Sequence, residues 1–363
     1  MSQKVSNLQL MFLVANFIFS SSVISLPQII VEISGQNGWL VPIILLPMFM
    51  LIIFLVFGSK KKSDSLKKLF IIGEKNSYWE KAFIVVFLLL AVLTFVRDLR
   101  GLIDFVASVL LPNTPIDVLM VLSILVISYI AMSGIEVISR INMIYFVLLT
   151  FIVLIMPFFL LNEWELQNLQ PLPSLRTVKS IVHTLYFSFS WLAEMFLFLI
   201  IIANVNPVRQ ARKAAFAGAG LGLLLFFIIL FLQLSVLGTK IVREATYPTY
   251  ILIQQINLTD FLDRIDLVIV VIWMPTLIAK LSYLLFAVNH CLSLFYKSST
   301  NKFLFPISII LGLLSVLLFK NTMNFLHYSF YTWASLGLIL EIIVIFLFLL
   351  LKRKKIKILE GTG

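Results

Sequence analysis

Charged side chains lie inside long apolar stretches of the sequence, among them Arg97, Asp98, Arg100, Glu194 and Lys280. A charged group facing lipid is costly, so each should face the interior of a helical bundle and find a partner there. Such groups mark ligand, ion or proton pathways in membrane proteins. We therefore treat the five as candidate coupling residues, and the sequence leaves open whether Glu194 and Lys280 pair with each other.

The spacing of other charges predicts local ion pairs. Arg100 and Asp104 are four residues apart, so they share a helix face and can pair. An alternative is that the helix ends before these charges and leaves them in an exposed turn, although the apolar run 102–111 argues against this. Glu136 and Arg140 have the same spacing near a membrane boundary and are interpreted as a local structural pair.

Two serine clusters interrupt apolar stretches at similar depths. Ser21 lies roughly 20 Å into the membrane, counting along a helix from Leu8, and Ser190 lies about as deep from the other face. The alternative is that these serines bond to carbonyls of their own helices. Because the clusters occupy corresponding positions, we favour a ligand site between them. Its candidate residues are Ser20, Ser21, Ser22, Val23, Ser188, Phe189, Ser190, Trp191 and Leu192.

The elements that position these residues are predicted to be membrane-spanning helices. Of the 363 residues, 61% are hydrophobic and 12% are charged, and the mean hydropathy is +1.07. A helix needs roughly 20 apolar residues to cross a bilayer. Ten such stretches are found: 9–30, 38–57, 82–110, 116–133, 140–161, 180–203, 214–237, 265–295, 303–319 and 332–351. The fold class is therefore an all-α integral membrane protein.

The positions of the serine clusters favour an internal repeat. Spans one and six are corresponding members of two five-helix halves, and transporters built from inverted repeats use broken helices at such places. We expect a single transmembrane domain over 1–363. Repeat one covers about 8–161 and repeat two about 178–351, with spans one and six broken.

The distribution of basic residues predicts the topology. Of the 28 lysines and arginines, 19 fall on the side of the N-terminus, six on the opposite side and three within spans. This asymmetry places both termini in the cytoplasm. The basic run 60–68 and the basic tail 352–363 are expected to act as topology anchors and lipid-headgroup contacts, and no nucleic-acid partner is predicted.

An amphipathic segment, 245–256, follows span seven. Pro248 favours a helix start there, and we expect the helix to lie over the outer surface of the bundle as a lid. The charged segment 260–266 comes next, and Trp273 and Pro275 follow in span eight.

Several stretches of the sequence resemble those of the B subunits of bacterial spore germinant receptors, the endospore germination permeases of the amino acid/polyamine/organocation transporter superfamily. The resemblance is carried by Tyr247-Pro248-Thr249 with 261–266 and Trp273, by Arg97-Asp98-Leu99 with 111–115, by 133–140, and by 188–194. It implies a five-plus-five inverted repeat and a germinant pocket between broken helices one and six. It also implies assembly with A-type and C-type subunits in the spore inner membrane. One departure is that span one, 9–30, contains no glycine.

Three functions remain open at this point. The first is a germinant-sensing subunit that binds a small nutrient, such as an amino acid, between spans one and six. The second is a secondary transporter, proton-coupled or uncoupled, in which Lys280 stands in place of a sodium ion. The third is a structural or ion-conducting subunit that binds no ligand. No enzyme, cofactor or metal site is predicted, because His183, His290 and His327 are scattered and Cys291 is the single cysteine.

Overall fold

The computed structural model describes residues 4–58, 69–72, 77–171, 173, 177–256, 265–296 and 303–361. The basic run 60–68 lies outside these residues, as does 257–264, which holds most of the charged segment after the lid. The fold of the remaining residues is almost entirely helical.

Ten apolar helical segments match the ten predicted spans in the described residues. Their helices are Asn7–Phe19 with Ser22–Ser34 (span one), Leu40–Phe57 (span two), Tyr78–Phe105 (span three), Ile116–Met132 (span four), Ile135–Phe159 (span five), Val178–Leu192 (span six), Ala211–Leu232 (span seven), Ile265–Tyr296 (span eight), Leu304–Leu317 (span nine) and Trp333–Gly361 (span ten). Seven are long and apolar enough to cross a bilayer, and the two halves of span one together make an eighth. Spans four and nine are shorter, with 17 and 14 residues.

Several spans continue in tighter or wider helical turns. These are π-helical turns at Val106–Leu110, Gln233–Leu237 and Tyr328–Thr332, 3-10 segments at Gly35–Asn37, Leu161–Glu163, Leu166–Leu169, Ala193–Asn204 and Val208–Gln210, and α-helices at Gly238–Glu244 and Thr322–His327. The lid is the short helix Pro248–Gln254, which begins at its proline as predicted.

Span one is broken at the serine cluster. Its first helix ends at Phe19, its second begins at Ser22, and the two axes differ by 44°. Serine can serve here in place of glycine because its short side chain competes for backbone hydrogen bonds. Farther along, Pro27 lacks an N–H, so the carbonyl of Val23 loses its helical partner. The predicted break in span one is confirmed.

Span six changes its helical form without breaking at its serines. The α-helix runs through Ser188 and Ser190 to Leu192, and a 3-10 helix then continues over Ala193–Asn204. The departure from α-helix thus comes after the serine cluster, whereas the prediction placed a break at the cluster itself. A 3-10 helix keeps its backbone hydrogen bonds within the segment, which a membrane interior requires.

A two-stranded parallel pair joins the start of span one to the end of span six. Val5–Ser6 precedes span one and pairs with Val205–Asn206, which follows the 3-10 helix. Ser6 also caps span one, since its hydroxyl accepts the Gln9 N–H while the Gln9 side chain accepts the Ser6 N–H. The two candidate helices are therefore fixed to each other at one end.

Span seven packs closely on the first half of span one. A Cβ atom added at Gly218 would lie 2.4 Å from the Met11 carbonyl oxygen, and one at Gly222 would lie 2.9 Å from the Ala15 carbonyl oxygen. Small residues at this four-residue spacing let two membrane helices approach backbone to backbone. This contact holds the first half of span one in place below the break.

The basic tail 352–363 continues the helix of span ten as far as Gly361. Lys352 is buried, and its Nζ donates to the carbonyls of Leu55, Val56 and Gly58 at 3.1, 2.8 and 2.6 Å. These carbonyls close the C-terminal end of span two, where a cation is favoured. Part of the tail therefore joins spans two and ten, beyond the lipid contact that the sequence suggested.

Candidate functional site

Four buried charges from three spans meet beside the break in span one, and we call them the charge quartet. Arg97 and Asp98 come from span three, Glu194 from the start of the 3-10 segment of span six, and Lys280 from span eight. The Lys280 Nζ lies 2.6 Å from a Glu194 oxygen and 2.8 Å from an Asp98 oxygen. The Arg97 guanidinium lies 2.6 Å from the other Glu194 oxygen and 2.5 Å from the other Asp98 oxygen. Glu194 and Lys280, left open by the sequence, therefore pair directly.

The quartet has no net charge. It contains two cations and two carboxylates, each carboxylate contacts both cations, and no member is more than 3% exposed. Mutual pairing is what makes such charges tolerable away from water. The alternative that span three ends before its charged residues is wrong, because its helix runs on to Phe105 with Arg97 and Asp98 buried.

Two tryptophans hold the Arg97 guanidinium. Its Cζ lies 4.1 Å from the ring centroid of Trp191 in span six and 4.7 Å from that of Trp333 in span ten. Contact between a guanidinium and an aromatic face is favourable and is stronger when water is excluded. The Trp191 indole N–H also donates to the Ser329 carbonyl at 3.0 Å, which fixes that ring against the start of span ten.

The break in span one is connected to the quartet and to span eight. Ser21 Oγ accepts a hydrogen bond from Lys280 Nζ at 2.6 Å. The Ser20 carbonyl accepts one from the Trp273 indole N–H at 2.9 Å. A helix break leaves backbone groups without helical partners, and the Trp273 side chain of span eight provides a partner for the Ser20 carbonyl.

A small polar pocket lies where the break meets the quartet. The space between its lining atoms is about 310 Å³, with the opening to solvent included. Its polar lining is Ser21, Ser25, Arg97 and Asp98, and its apolar lining is Ile24, Gly101, Leu102, Trp191, Leu277 and Phe325. Spans one, three, six and eight contribute, together with the short helix before span ten. Charged groups at one side and apolar walls elsewhere suit a small polar or zwitterionic molecule.

The lid is tied to the second half of span one. The Thr249 hydroxyl donates to the Val23 carbonyl that Pro27 leaves free, and it accepts from the Gln233 side chain at 2.7 Å. All of these groups are buried. Burial also raises the pKa of Tyr247, at the start of the lid, to about 12, so its phenol stays neutral.

An apolar cavity of about 480 Å³, with its opening to solvent included, lies between the lid and spans one, five and eight. Aromatic rings of three elements meet beside it, with Phe105 edge-on to Tyr247, Tyr250 and Trp273 at centroid distances of 5.2, 5.9 and 5.3 Å. Of the candidate ligand residues, Val23 lines this cavity. Its lining is dominated by hydrocarbon, so the cavity and the polar pocket have different chemistry on the two sides of Ile24.

The remaining candidate ligand residues lie away from the polar pocket. Ser20 and Ser188 bond back to the carbonyls of Asn16 and Thr184, as the alternative interpretation proposed. Phe189 packs against Phe49 at 5.4 Å between ring centroids. Leu192 is fully buried in the core. The hydroxyls of Ser22 and Ser190 are buried without a hydrogen-bond partner in the described part of the chain.

The other predicted ion pairs form as expected but serve packing. Arg100 pairs with Asp104 at 2.9 Å and also donates to the carbonyl of Phe319 at 3.1 Å, which closes the end of span nine. Arg100 is therefore apart from the quartet. Glu136 and Arg140 pair at 2.5 Å on an exposed face.

Sequence reasoning missed two contributors from span ten, Trp333 and Glu341. Glu341 is 1% exposed, and it is the one acidic residue of the predicted span 332–351. An isolated acid inside an apolar stretch is the same signal that identified Glu194. Trp333 carries no such signal, because an aromatic residue near a span end is typical of any membrane helix.

The sequence is similar to proteins of Bacillus subtilis (strain 168). It is 28% identical to YfkT over 295 residues, covering 81% of each chain. It is 24% identical to spore germination protein YndE, covering 89% of this chain and 88% of that one. It is 23% identical to spore germination protein KB, covering 88% and 86%.

The fold is similar to that of Mhp1, a nucleobase-cation-symport-1 family transporter solved in a closed conformation with bromovinylhydantoin bound. The TM-score is 0.55 at 14% identity, over 90% of this chain and 75% of Mhp1. This likeness confirms the predicted all-α, transporter-like membrane fold. The family model described as spore germination protein matches residues 4–325. The chain therefore belongs to the spore germination protein family of permease-type membrane proteins.

Proposed function

We propose that this protein is the nutrient-sensing membrane subunit of a spore germination receptor and that it binds an amino acid in the polar pocket at the break of span one. The observation that carries the proposal is the contact of Ser21 with Lys280, which joins the broken helix to the charge quartet. A ligand that enters there meets both signs of charge and a bent helix at once.

The chemistry of the pocket favours a zwitterion. Asp98 offers a carboxylate to an ammonium group, and Arg97 offers a planar guanidinium to a carboxylate. Ser21 stands at the start of the second helix of span one, where the helix dipole favours an anionic group. The apolar lining then selects among side chains by size.

The test is the nutrient dose response of spores that carry variants of this subunit. Ser21→Leu places hydrocarbon against Lys280 and fills the pocket, so it should raise the nutrient concentration needed for half-maximal germination at least tenfold. Ser188→Ala is the matched control, because that hydroxyl bonds only to its own helix. An unchanged dose response for Ser21→Leu, at normal protein level, would disprove this pocket.

We further propose that the chain assembles with A-type and C-type receptor subunits in the spore inner membrane, with both termini in the cytoplasm. The positive-inside distribution and the even number of predicted spans support this orientation. Copurification of the tagged chain with the other two subunits from spore membranes tests the assembly. Recovery of the chain alone would contradict it.

A secondary transporter is the alternative that the fold favours, since Mhp1 is a symporter-family protein. In that case the Lys280 ammonium takes the place of a sodium ion between spans one and eight, so uptake would be independent of sodium. Net uptake of radiolabelled amino acids by proteoliposomes of the isolated chain would support the transporter. Binding without uptake would support the sensor, and absence of both would support a structural or ion-conducting subunit.

A further inference from the structure

Glu341 is a buried acid beside the quartet with no partner of its own. It is 1% exposed, and neither carboxyl oxygen has a hydrogen-bond partner among the residues that the structure describes. It lies four residues after Gly337 and eight residues after Trp333, so the three residues lie along the same face of span ten. Gly337 approaches Ser190 of span six, and Trp333 stacks on Arg97, so this face is turned toward the quartet.

The charged groups around Glu341 are already matched with one another. Arg97 of span three, Glu194 of span six and Lys280 of span eight all act on it electrostatically, and Asp98 completes their neutral set. Span two, which also packs on span ten, contributes no charged residue over 40–57. At the cytoplasmic end, Glu80 of span three faces Lys355, more than three helical turns from Glu341 along span ten. The three acids Asp98, Glu194 and Glu341 thus stand against the two cations Arg97 and Lys280.

An ionised carboxylate without a partner in such a place costs far more than a neutral acid. We propose that Glu341 is a proton-binding site, which holds one proton while the quartet is closed and releases it when the quartet opens. On opening, Arg97 or Lys280 becomes free to pair with Glu341, and the water that enters hydrates the carboxylate that this cation leaves. The O–H bond of the acid then breaks, the proton passes to water, and an ion pair replaces it, so charge is conserved.

The consequence is that opening of the quartet depends on pH. One proton is released for each opening, so the ratio of open to closed protein changes about tenfold for each pH unit, and acid favours the closed form. This holds for a sensor, a transporter or a structural subunit, because it depends only on the charges of this chain.

Infrared difference spectroscopy of the purified full chain in lipid nanodiscs tests the proposal. A protonated carboxylic acid has its own carbonyl-stretching band, which is lost on ionisation. We expect Glu341→Gln to lose one such band at neutral pH, and Glu136→Gln, at an exposed and paired acid, to leave the spectrum in this region unchanged. An identical band in wild type and Glu341→Gln would overturn the proposal.

Thermal unfolding gives a second, independent outcome. Glutamine has nearly the shape and the neutral charge of a protonated glutamic acid, so the melting temperature of Glu341→Gln should stay unchanged or rise at neutral pH. A fall of many degrees, or failure to fold, would mean that an ionised Glu341 is needed and would overturn the proposal.

The link to the quartet is tested with Asp98→Asn. This change removes one carboxylate and leaves one cation in excess, so Glu341 should ionise and its band should vanish although the residue is still present. A band that persists in Asp98→Asn would show that Glu341 binds its proton independently of the quartet, which contradicts the proposed release on opening.

Discussion

Removal of the Lys280 ammonium is expected to destabilise the folded protein strongly. In Lys280→Met the contacts at 2.6, 2.8 and 2.6 Å to Glu194, Asp98 and Ser21 are lost. The quartet then has one cation against two carboxylates, with all of these groups buried. Removing one partner from a buried ion pair costs about 3–5 kcal/mol, because the remaining charge has no compensation. That is a large share of the roughly 5–15 kcal/mol by which folded proteins are stable.

The assay is the free energy of unfolding in mixed micelles titrated with SDS, followed by circular dichroism. The matched control is Lys240→Met, at an exposed lysine, which should change stability by less than about 0.5 kcal/mol. The double variant Lys280→Met, Glu194→Gln restores neutrality between Arg97 and Asp98. We expect the double variant to lose about 1–3 kcal/mol less stability than the sum of the losses in the two single variants.

Two results would refute this reasoning. A loss below about 1 kcal/mol in Lys280→Met would mean that the ammonium is solvated and that its contacts contribute as little as those of a surface pair. Additive effects in the double variant would mean that Lys280 and Glu194 act independently, which contradicts their direct contact.

Three further predictions follow from packing and burial. Gly218→Leu should abolish folded protein in membranes, because its side chain would meet a span-one carbonyl at 2.4 Å, whereas Gly220→Ala, with its nearest neighbour at 3.8 Å, should express normally. Thr249→Val removes the hydroxyl that donates to the Val23 carbonyl and should lower the free energy of unfolding by about 1–3 kcal/mol in the same SDS assay. The lid should also be cleaved faster by a protease in this variant. A cleavage rate equal to that of the wild type would contradict the hydrogen bond. Cys291, fully buried, should react with a maleimide only after denaturation, and fast labelling of the native protein would contradict the packing of span eight.

The spans and the coupling charges were predictable because a charged side chain that faces lipid has a high free-energy cost. In an apolar helix each charge must be buried and paired, so Glu194 and Lys280 were recognisable one at a time. Their pairing was not, because it depends on the rotation of spans six and eight about their axes, which the sequence does not encode locally. Glu341 carried the same signal as Glu194 but lay in a span that had no matching polar cluster.

The serines were less informative than the charges. A hydroxyl can bond to its own helix at almost no cost, so Ser20 and Ser188 meet the same chemical requirement as Ser21 while making no contact across the bundle. Only tertiary structure separates them, because Lys280 approaches Ser21 alone of the three. The proline was the stronger local signal, since Pro27 must free the Val23 carbonyl wherever the helix lies.

The second half of span one makes contacts with other elements at two points. Its inner end contacts the quartet through Ser21, and its outer part contacts the lid through the Val23 carbonyl and Thr249. A ligand changes such a protein only by binding one arrangement more tightly than another. A molecule that displaces Lys280 from Ser21 acts on the same helix that the lid contacts. It also frees the Lys280 cation beside Arg97, which stacks on Trp333 at the start of span ten. Span ten continues to Lys352, which closes the C-terminal end of span two. Contacts of the second half of span one thus reach the lid and the quartet, and span ten extends from the quartet to the end of span two.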